Sequence, residues 1–346
     1  MPLRNFGVLK GKVVGKDYDK DDRPHLHLLL EAAGEKFDAS VNVKSSVNFS
    51  TVDRPGVPKN QVLFLISDPY THPLLEKIAD LDEGFHEVES KPNGISVDYI
   101  RGNFFDPANM QPLVHDRPGE DNDLFDKIGL YVNRAMNHPD CDLYVFGEPW
   151  PKNDRPNRIF GFTPDQGIHD VHMNQGNDPN HTRDDGVWQD GCMFFRFGES
   201  WVGIFLAFQS QCWHTDDASG SAIAGACARP AENPNSSTGS DKSVVIVGAT
   251  VNPRGEDKGL EAIYLLNKTP AVLNLQGWSI LDKAKRAEPL HGLIKGNDMR
   301  IIYLKGDTCQ LGNGGGIITL LDNNGLKVHG VAYTGDQVKA GLTLTF

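Results

Sequence analysis

Phe37-Asp-Ala-Ser-Val-Asn-Val43 decides how the first part of this chain must fold. Phe37, Ala39, Val41 and Val43 alternate with Asp38, Ser40 and Asn42. That period of two sends apolar side chains to one face of a strand and polar ones to the other. Upstream, residues 6–14 and 25–30 are short β-rich segments set apart by charged or glycine-containing turns. Downstream, residues 62–66 form a continuous apolar run that fits a buried strand. Residues 72–81 change period: Leu74, Leu75, Ile78 and Leu81 fall on one helical stripe. A longer helix is predicted over 123–137, with an apolar face of Leu124, Ile128, Tyr131, Val132 and Ala135. Acidic residues Asp121, Asp123 and Asp126 crowd its start, where they cap and complement the helix dipole, and His138-Pro139 ends it. Residues 143–146, 158–162 and 201–208 read as further strands, giving an α+β domain with a largely antiparallel sheet.

The composition supports two domains rather than one. The chain has 346 residues, 39% of them hydrophobic and 23% charged, enough to bury real cores. High glycine and proline counts, 36 and 21, favour many turns and short strands over a helical bundle. Across residues 219–243 the sequence collapses to Ala, Gly, Ser, Pro and Asn, which reads as a flexible linker. It separates a first domain, 1–218, from a second, 244–346. In the second, segments 244–251, 261–266, 278–281, 300–304, 317–321 and 328–333 are strand-like and separated by turns such as Asn313-Gly314-Gly315. About seven short strands in about 100 residues indicate an all-β immunoglobulin-like sandwich.

The second domain resembles the lamin tail domain through Glu261-Ala-Ile-Tyr-Leu-Leu-Asn267, Val272-Leu-Asn-Leu-Gln-Gly-Trp278-Ser-Ile-Leu-Asp282 and Gly315-Gly-Ile-Ile-Thr-Leu-Leu-Asp322. That resemblance implies an accessory module, one that often accompanies nucleases or other hydrolases in bacterial proteins. The first domain resembles the YukJ-like family of bacterial and fungal proteins. The matching landmarks are Asn5-Phe-Gly-Val-Leu-Lys-Gly11, Val41-Asn-Val-Lys-Ser45, Asp98-Tyr-Ile-Arg-Gly-Asn103 and Pro118-Gly-Glu-Asp-Asn-Asp-Leu124. The segment 167–177, Gly186-Val-Trp-Gln-Asp-Gly191 and Phe205-Leu-Ala-Phe-Gln-Ser-Gln211 complete the match. That resemblance brings no catalytic assignment, so the chemistry rests on residue types.

The densest polar segment is Gly167-Ile-His-Asp-Val-His-Met-Asn-Gln-Gly-Asn177. On an extended strand Asp170, His172 and Asn174 share a face and His169 lies opposite, as structural support. His172, Asp170, His214 and Asp216 are the metal-ligand candidates, since imidazole and carboxylate suit a divalent ion such as Zn, Mn or Mg that activates water. Without a metal, His172 and His214 pair as acid and base, with Asp170 or Asp190 orienting an imidazole. Asn174, Gln209 and Gln211 would then hold phosphoryl oxygens, and Lys44 and Arg101 are the better placed phosphate-binding cations. Against these stand plainer readings: turn capping for 167–177 and ordinary ion pairs for Lys44 and Arg101. His25 and His27, alternating with leucines, read as a partly exposed strand face.

Several classes are disfavoured. The chain lacks a Walker loop, a Gly-x-Gly-x-x-Gly after a strand and a Cys-x-x-Cys pair. Cys141, Cys192, Cys212, Cys227 and Cys309 read as sparse reduced thiols. A net charge of -12 opposes non-specific polyanion binding unless cations invert the local field. No apolar run reaches the roughly 18 residues of a spanning helix, and residues 1–16 lack a secretory h-region, so the expected location is cytoplasmic unless export is non-classical. The leading expectation is a phosphodiesterase or nuclease, with or without a divalent metal, acting on nucleic acid or another phosphodiester. The competing expectation is a non-enzymatic protein that binds a ligand, or a protein partner through the sandwich.

Overall fold

The computed structural model describes residues 7–18, 25–43, 62–88, 104, 109, 111–114, 117–149, 159–160, 167–171, 192–207, 243–323 and 327–346. Contacts divide the chain into two compact units. The first comprises 1–70, 80–90 and 105–211; the second comprises 71–79, 91–104 and 212–346. The linker predicted over 219–243 lies outside the described residues except for Ser243. No helix of the described residues is long and apolar enough to cross a membrane.

Ten strands build the first unit: β1 (Gly7–Tyr18), β2 (His25–Ala32), β3 (Glu35–Asn42), β4 (Val62–Ser67), β5 (Gly84–Glu87), β6 (Gln111–Leu113), β7 (Cys141–Pro149), β8 (Gly167–Val171), β9 (Cys192–Phe197) and β10 (Ser200–Ala207). Strand β1 is long and bent. Gly7 to Gly11 pair with β7, a register shift follows between Val13 and Gly15, and Lys12 to Tyr18 pair with β2. Pairing then runs from β2 to β3, β3 to β8 and β8 back to β7, closing a five-stranded circuit. The β3–β8 contact is parallel; every other pairing among the described residues is antiparallel. From β7 the sheet continues outward through β9, β10, β4 and β6.

Helix α2 (Leu124–Met136) belongs to this unit, while the short α1 (Leu74–Ala79) falls mostly within the segment 71–79 assigned to the second. Asp123 caps α2: its Oδ1 accepts the Asp126 N–H at 2.8 Å and its Oδ2 accepts the Arg117 N–H. The acidic start therefore serves the helix, as its spacing predicted. Leu124, Ile128, Val132 and Ala135 bury the apolar stripe in the core that Leu9 and Val13 of β1, Leu143 and Val145 of β7 and Phe195 of β9 also enter, and the helix packs on these three strands. At about 2 kcal/mol per fully buried aliphatic side chain, this stripe holds the circuit closed. A strand was expected over 158–162, but Ile159 and Phe160 lie in a turn and the rest falls outside the described residues. Strand β9, Cys-Met-Phe-Phe-Arg-Phe, buries five of its six residues.

In the second unit, strands β11 (Val244–Thr250), β12 (Ala262–Asn267), β13 (Leu273–Asn274), β14 (Ser279–Leu281), β15 (Ala287–Pro289), β16 (Leu293–Ile294), β17 (Met299–Tyr303), β18 (Gly315–Leu321), β19 (Lys327–Thr334) and β20 (Leu344–Thr345) follow one another. They form two four-stranded antiparallel sheets, β17-β12-β11-β20 and β15-β14-β18-β19, with β13 and β16 as a separate pair. Both large sheets face one apolar core that includes Ile246, Ile263, Leu265, Ile280, Ile318, Leu320 and Tyr333. The molecule is thus mostly β with several mainly antiparallel sheets.

Three buried acids organise one loop of this unit. Glu261 accepts the Leu311 N–H on both carboxylate oxygens at 3.0 Å. Asp282 accepts Arg286 Nε at 2.7 Å, Arg286 N at 3.0 Å, Ala284 N at 2.8 Å and Gln310 N at 3.1 Å. Glu288 faces Lys305, with its Oε2 3.4 Å from the backbone N and its Oε1 3.4 Å from Nζ. Burial, reinforced by the charges of Asp257 and Asp282, pushes Glu261 up to about 7, while the Leu311 N–H opposes the shift. Cys309 sits in the same loop as a fully buried thiol, pushed up to about 12 by burial first and the three acids second.

Candidate functional site

The hairpin β2–β3 builds the best-defined polar site of the first unit. Its two-residue turn, Ala33-Gly34, has φ of 51° and 82°, the mirror-image geometry that glycine adopts without penalty and that matches strand twist. Glu83 accepts the Ala33 N–H at 2.7 Å and ties this turn down. The turn fixes the register, so His27 lies opposite Ser40 and Leu29 opposite Asp38. Leu26, Leu28, Leu30, Ala39 and Val41 then enter the core, and His25, His27, Asp38 and Ser40 occupy the other face.

That face is not solvated. Asp38 is 0% exposed, Ser40 2% and His27 5%. His27 Nδ1 lies 2.9 Å from Asp38 Oδ2 and 3.2 Å from Oδ1, a diagonal cross-strand contact. An ionised carboxylate only accepts, so Nδ1 is the donor of this pairing, and in the neutral imidazole the lone pair then lies on Nε2. An imidazole oriented this way by a buried carboxylate can take a proton from a nucleophile or ligate a metal. The rings of His25 and Phe160 stand edge-on to His27, with centroids at 5.8 and 6.3 Å. The reading of His25 and His27 as a partly exposed strand face fits His25, which is half-buried, and needs correction for His27, which is buried and paired.

Strand β8 brings the start of the polar segment 167–177 to this pair. Gly167 lies opposite Asp38 in the parallel register, and Ile168 lies opposite Ala39 with its side chain in the core. A Cβ on Gly167 would stand 2.0 Å from the Asp38 carbonyl oxygen, so only glycine lets β8 approach here. The register then shifts. Ile168 pairs with Ala39 and Val171 with Val41, so two residues, His169 and Asp170, occupy the interval opposite the single Ser40. Such a bulge breaks strict alternation. The expected sharing of a face by Asp170, His172 and Asn174 involves His172 and Asn174, which lie outside the described residues.

Of the residues singled out from sequence, Asp170 lies on β8, in the interval between Ile168 and Val171. His172, Asn174, Asp190, Gln209, Gln211, His214, Asp216, Lys44 and Arg101 lie outside the described residues. Among the described residues no three His, Cys, Asp or Glu side chains converge as a metal site, and His27 with Asp38 supplies two such groups. Cys141, Cys192 and Cys309 are free and buried, as expected for inert thiols; Cys212 and Cys227 lie outside the described residues. Sequence reasoning missed His27 and Asp38. The signal was present in the hairpin arithmetic, since a turn at 33–34 sets His27 across from Ser40, between Asp38 and Asn42.

Comparison with known proteins adds a family. The chain is 35% identical over 221 residues to the uncharacterized protein YukJ of Bacillus subtilis (strain 168), a match covering 63% of this chain and 93% of that protein. Residues 1–220 match the family model described as uncharacterized conserved protein (DUF2278). The polar hairpin face and β8 both lie inside that match, and the chain belongs to this family.

Proposed function

We propose that the region 1–218 is a phosphodiester hydrolase, a phosphodiesterase or nuclease, whose reacting groups gather on the outer face of β2, β3 and β8. The observation that carries this reading is the buried His27–Asp38 pair at the start of the polar segment 167–177. His27 Nε2 would remove the proton from the attacking water or hydroxyl, and Asp38 would stabilise the imidazolium that results. A second histidine, His172 or His214, would protonate the leaving oxygen. Asp170 or Asp190 would orient it, while Asn174, Gln209 or Gln211 would hold phosphoryl oxygens with Lys44 and Arg101. In the metal-dependent form, His27 Nε2 joins His172, Asp170, His214 or Asp216 around a Zn, Mn or Mg ion, with Asp38 as the carboxylate behind the histidine. Such an ion also answers the net charge of -12, which otherwise repels a polyanion.

The fold supports the location. The circuit β1-β2-β3-β8-β7, with α2 preceding β7 and a parallel β3–β8 contact, has the strand order of an OB-type barrel. Such barrels hold oligonucleotides and oligosaccharides on the face of their second and third strands, which here carries His27 and Asp38. This is an argument from architecture and ranks below the side-chain geometry. The second unit, with two sheets around one core, is read as the lamin-tail-like immunoglobulin-type module, an accessory that brings the enzyme to its substrate or partner.

The test is turnover of bis-(p-nitrophenyl) phosphate and of single- and double-stranded nucleic acid, with and without Mn²⁺, Mg²⁺ or Zn²⁺. His27→Ala, Asp38→Asn, His172→Ala and His214→Ala should each abolish or cripple turnover while leaving the circular dichroism spectrum unchanged. Turnover that survives both His27→Ala and Asp38→Asn sinks the assignment of the pair. A purified protein that turns over none of these substrates, yet retains a small ligand lost in His27→Ala, supports the binding-protein reading.

A further inference from the structure

Among the described residues, the edge of the second unit's first sheet presents an open, apolar strand. Strand β17, Met-Arg-Ile-Ile-Tyr, pairs with β12 on one side and ends the sheet on the other. Its register with β12 runs without a bulge from Ala262–Tyr303 to Leu266–Met299. The Asn267 N–H donates to the Asp298 carbonyl and the Leu304 N–H to the Glu261 carbonyl, so even-numbered backbone groups point at β12. By alternation Met299, Ile301 and Tyr303 turn their backbone groups to the open edge. Those three also carry exposed side chains, at 55%, 44% and 63%, beside the half-buried Tyr264 and Leu266 on the same outer face.

The other edges of this unit are managed differently. Strand β20 has two residues, and β15 has three and ends in Pro289. Strand β19 presents no exposed large apolar side chain, and His329 Nδ1 accepts the Ile246 N–H of β11 at 3.1 Å. Natural sheets blunt their edges by shortness, proline, bulges or lysine. Strand β17 carries no proline, lysine or bulge, and its one charge, Arg300, is turned to Leu293, whose carbonyl lies 3.4 Å from Nη1.

We propose that β17 pairs antiparallel with β17 of a second copy about a two-fold axis through Ile301. A two-fold perpendicular to the sheet keeps outer faces together, so Ile301 meets Ile301 and Met299 meets Tyr303. Arg300, the strand's one charged residue, then faces Ile302 and avoids its own copy. The flanking charges fit as well. The strand is preceded by Asp298 and followed within two residues by Lys305, so the antiparallel arrangement sets the acidic end of each strand beside the basic end of the other. A parallel copy would set like against like. The Ile301 pair supplies two backbone hydrogen bonds and the Met299–Tyr303 pairs add more, after Asp298 Oδ1 gives up the Met299 N–H it now holds at 2.8 Å. Five residues a side bury less than the roughly 1,200 Å² of a standard interface, so the dimer is a concentration-dependent one.

Sedimentation velocity on the full chain over a hundredfold concentration range tests this, with Ile301→Lys and, as a control, Leu342→Lys at a surface position off the strand. The expected result is a monomer–dimer shift that Ile301→Lys weakens at least tenfold and Leu342→Lys leaves within twofold. A chain that stays monomeric throughout overturns the proposal. So does a dimer that survives Ile301→Lys, or one that both substitutions weaken alike. An unchanged melting curve for Ile301→Lys excludes loss of the strand itself as the cause.

Discussion

Both units bury carboxylates, and they use them in different ways. In the second unit Glu261, Asp282 and Glu288 accept from backbone amides and from Arg286 or face Lys305, all groups that hold the loop 304–311 in place. In the first unit Asp38 faces an imidazole, a group that itself has a second reactive nitrogen. A carboxylate answered by backbone serves the fold; a carboxylate answered by histidine orients a side chain that can still act. The same cost of burying a charge is therefore met by backbone amides and cations in one unit and by an imidazole in the other.

The largest effect expected from this contrast is on activity. His27→Ala should lower turnover by about 10³-fold or more, and Asp38→Asn by about 10²- to 10⁴-fold, with kcat falling more than KM changes. Equal losses in KM alone would mean that the pair only shapes the pocket. Next comes Asp282→Ala, which strips the acceptor from Arg286 and three backbone amides and should cost the second unit about 3 kcal/mol in a denaturant melt. Turnover measured at low temperature should survive that change; if it falls as far as in Asp38→Asn, the division between structural and chemical acids is wrong.

Gly167→Ala joins the two effects. Its Cβ would press on the Asp38 carbonyl, so β8 must shift, at about 2 kcal/mol of stability and with a loss of activity larger than the destabilisation explains. The smallest effect concerns pH. Glu261 is raised to about 7 from 4.5, so its contribution to folding is full below pH 4.5 and is lost as pH rises through 7. Glu261→Gln should flatten that slope, removing at most about 3 kcal/mol of pH-dependent stability between those limits. Chemical denaturation at pH 4.5, 6 and 8 measures it, and parallel curves for the two proteins would show that Glu261 titrates normally.

Much of this architecture was legible in the residues. Alternation located β2 and β3, and helical spacing with an acidic start located α2, because burial on one face writes a period into the sequence; strand-like runs between turn signals located six strands of the second unit. The site was legible only in part. Residues 167–177 drew attention through density of polar types, whereas His27 and Asp38 look unremarkable until a two-residue turn sets them across from one another. The bulge at His169 and Asp170 could not be read at all, since it follows from how β8 fits β3, a partner more than a hundred residues away in sequence.

That distance has a consequence for how the molecule comes into being. The hairpin that pairs His27 with Asp38 needs only the first 42 residues, so it can assemble early on a nascent chain. Its parallel neighbour is made only when residues 167–171 have emerged, after β7 has joined β1. Local contacts form fast and distant pairings slowly. A growing or truncated chain ending before Gly167 would carry the histidine–aspartate pair with no β8 beside it, so the strand of the circuit that is synthesised last is the one that flanks Asp38.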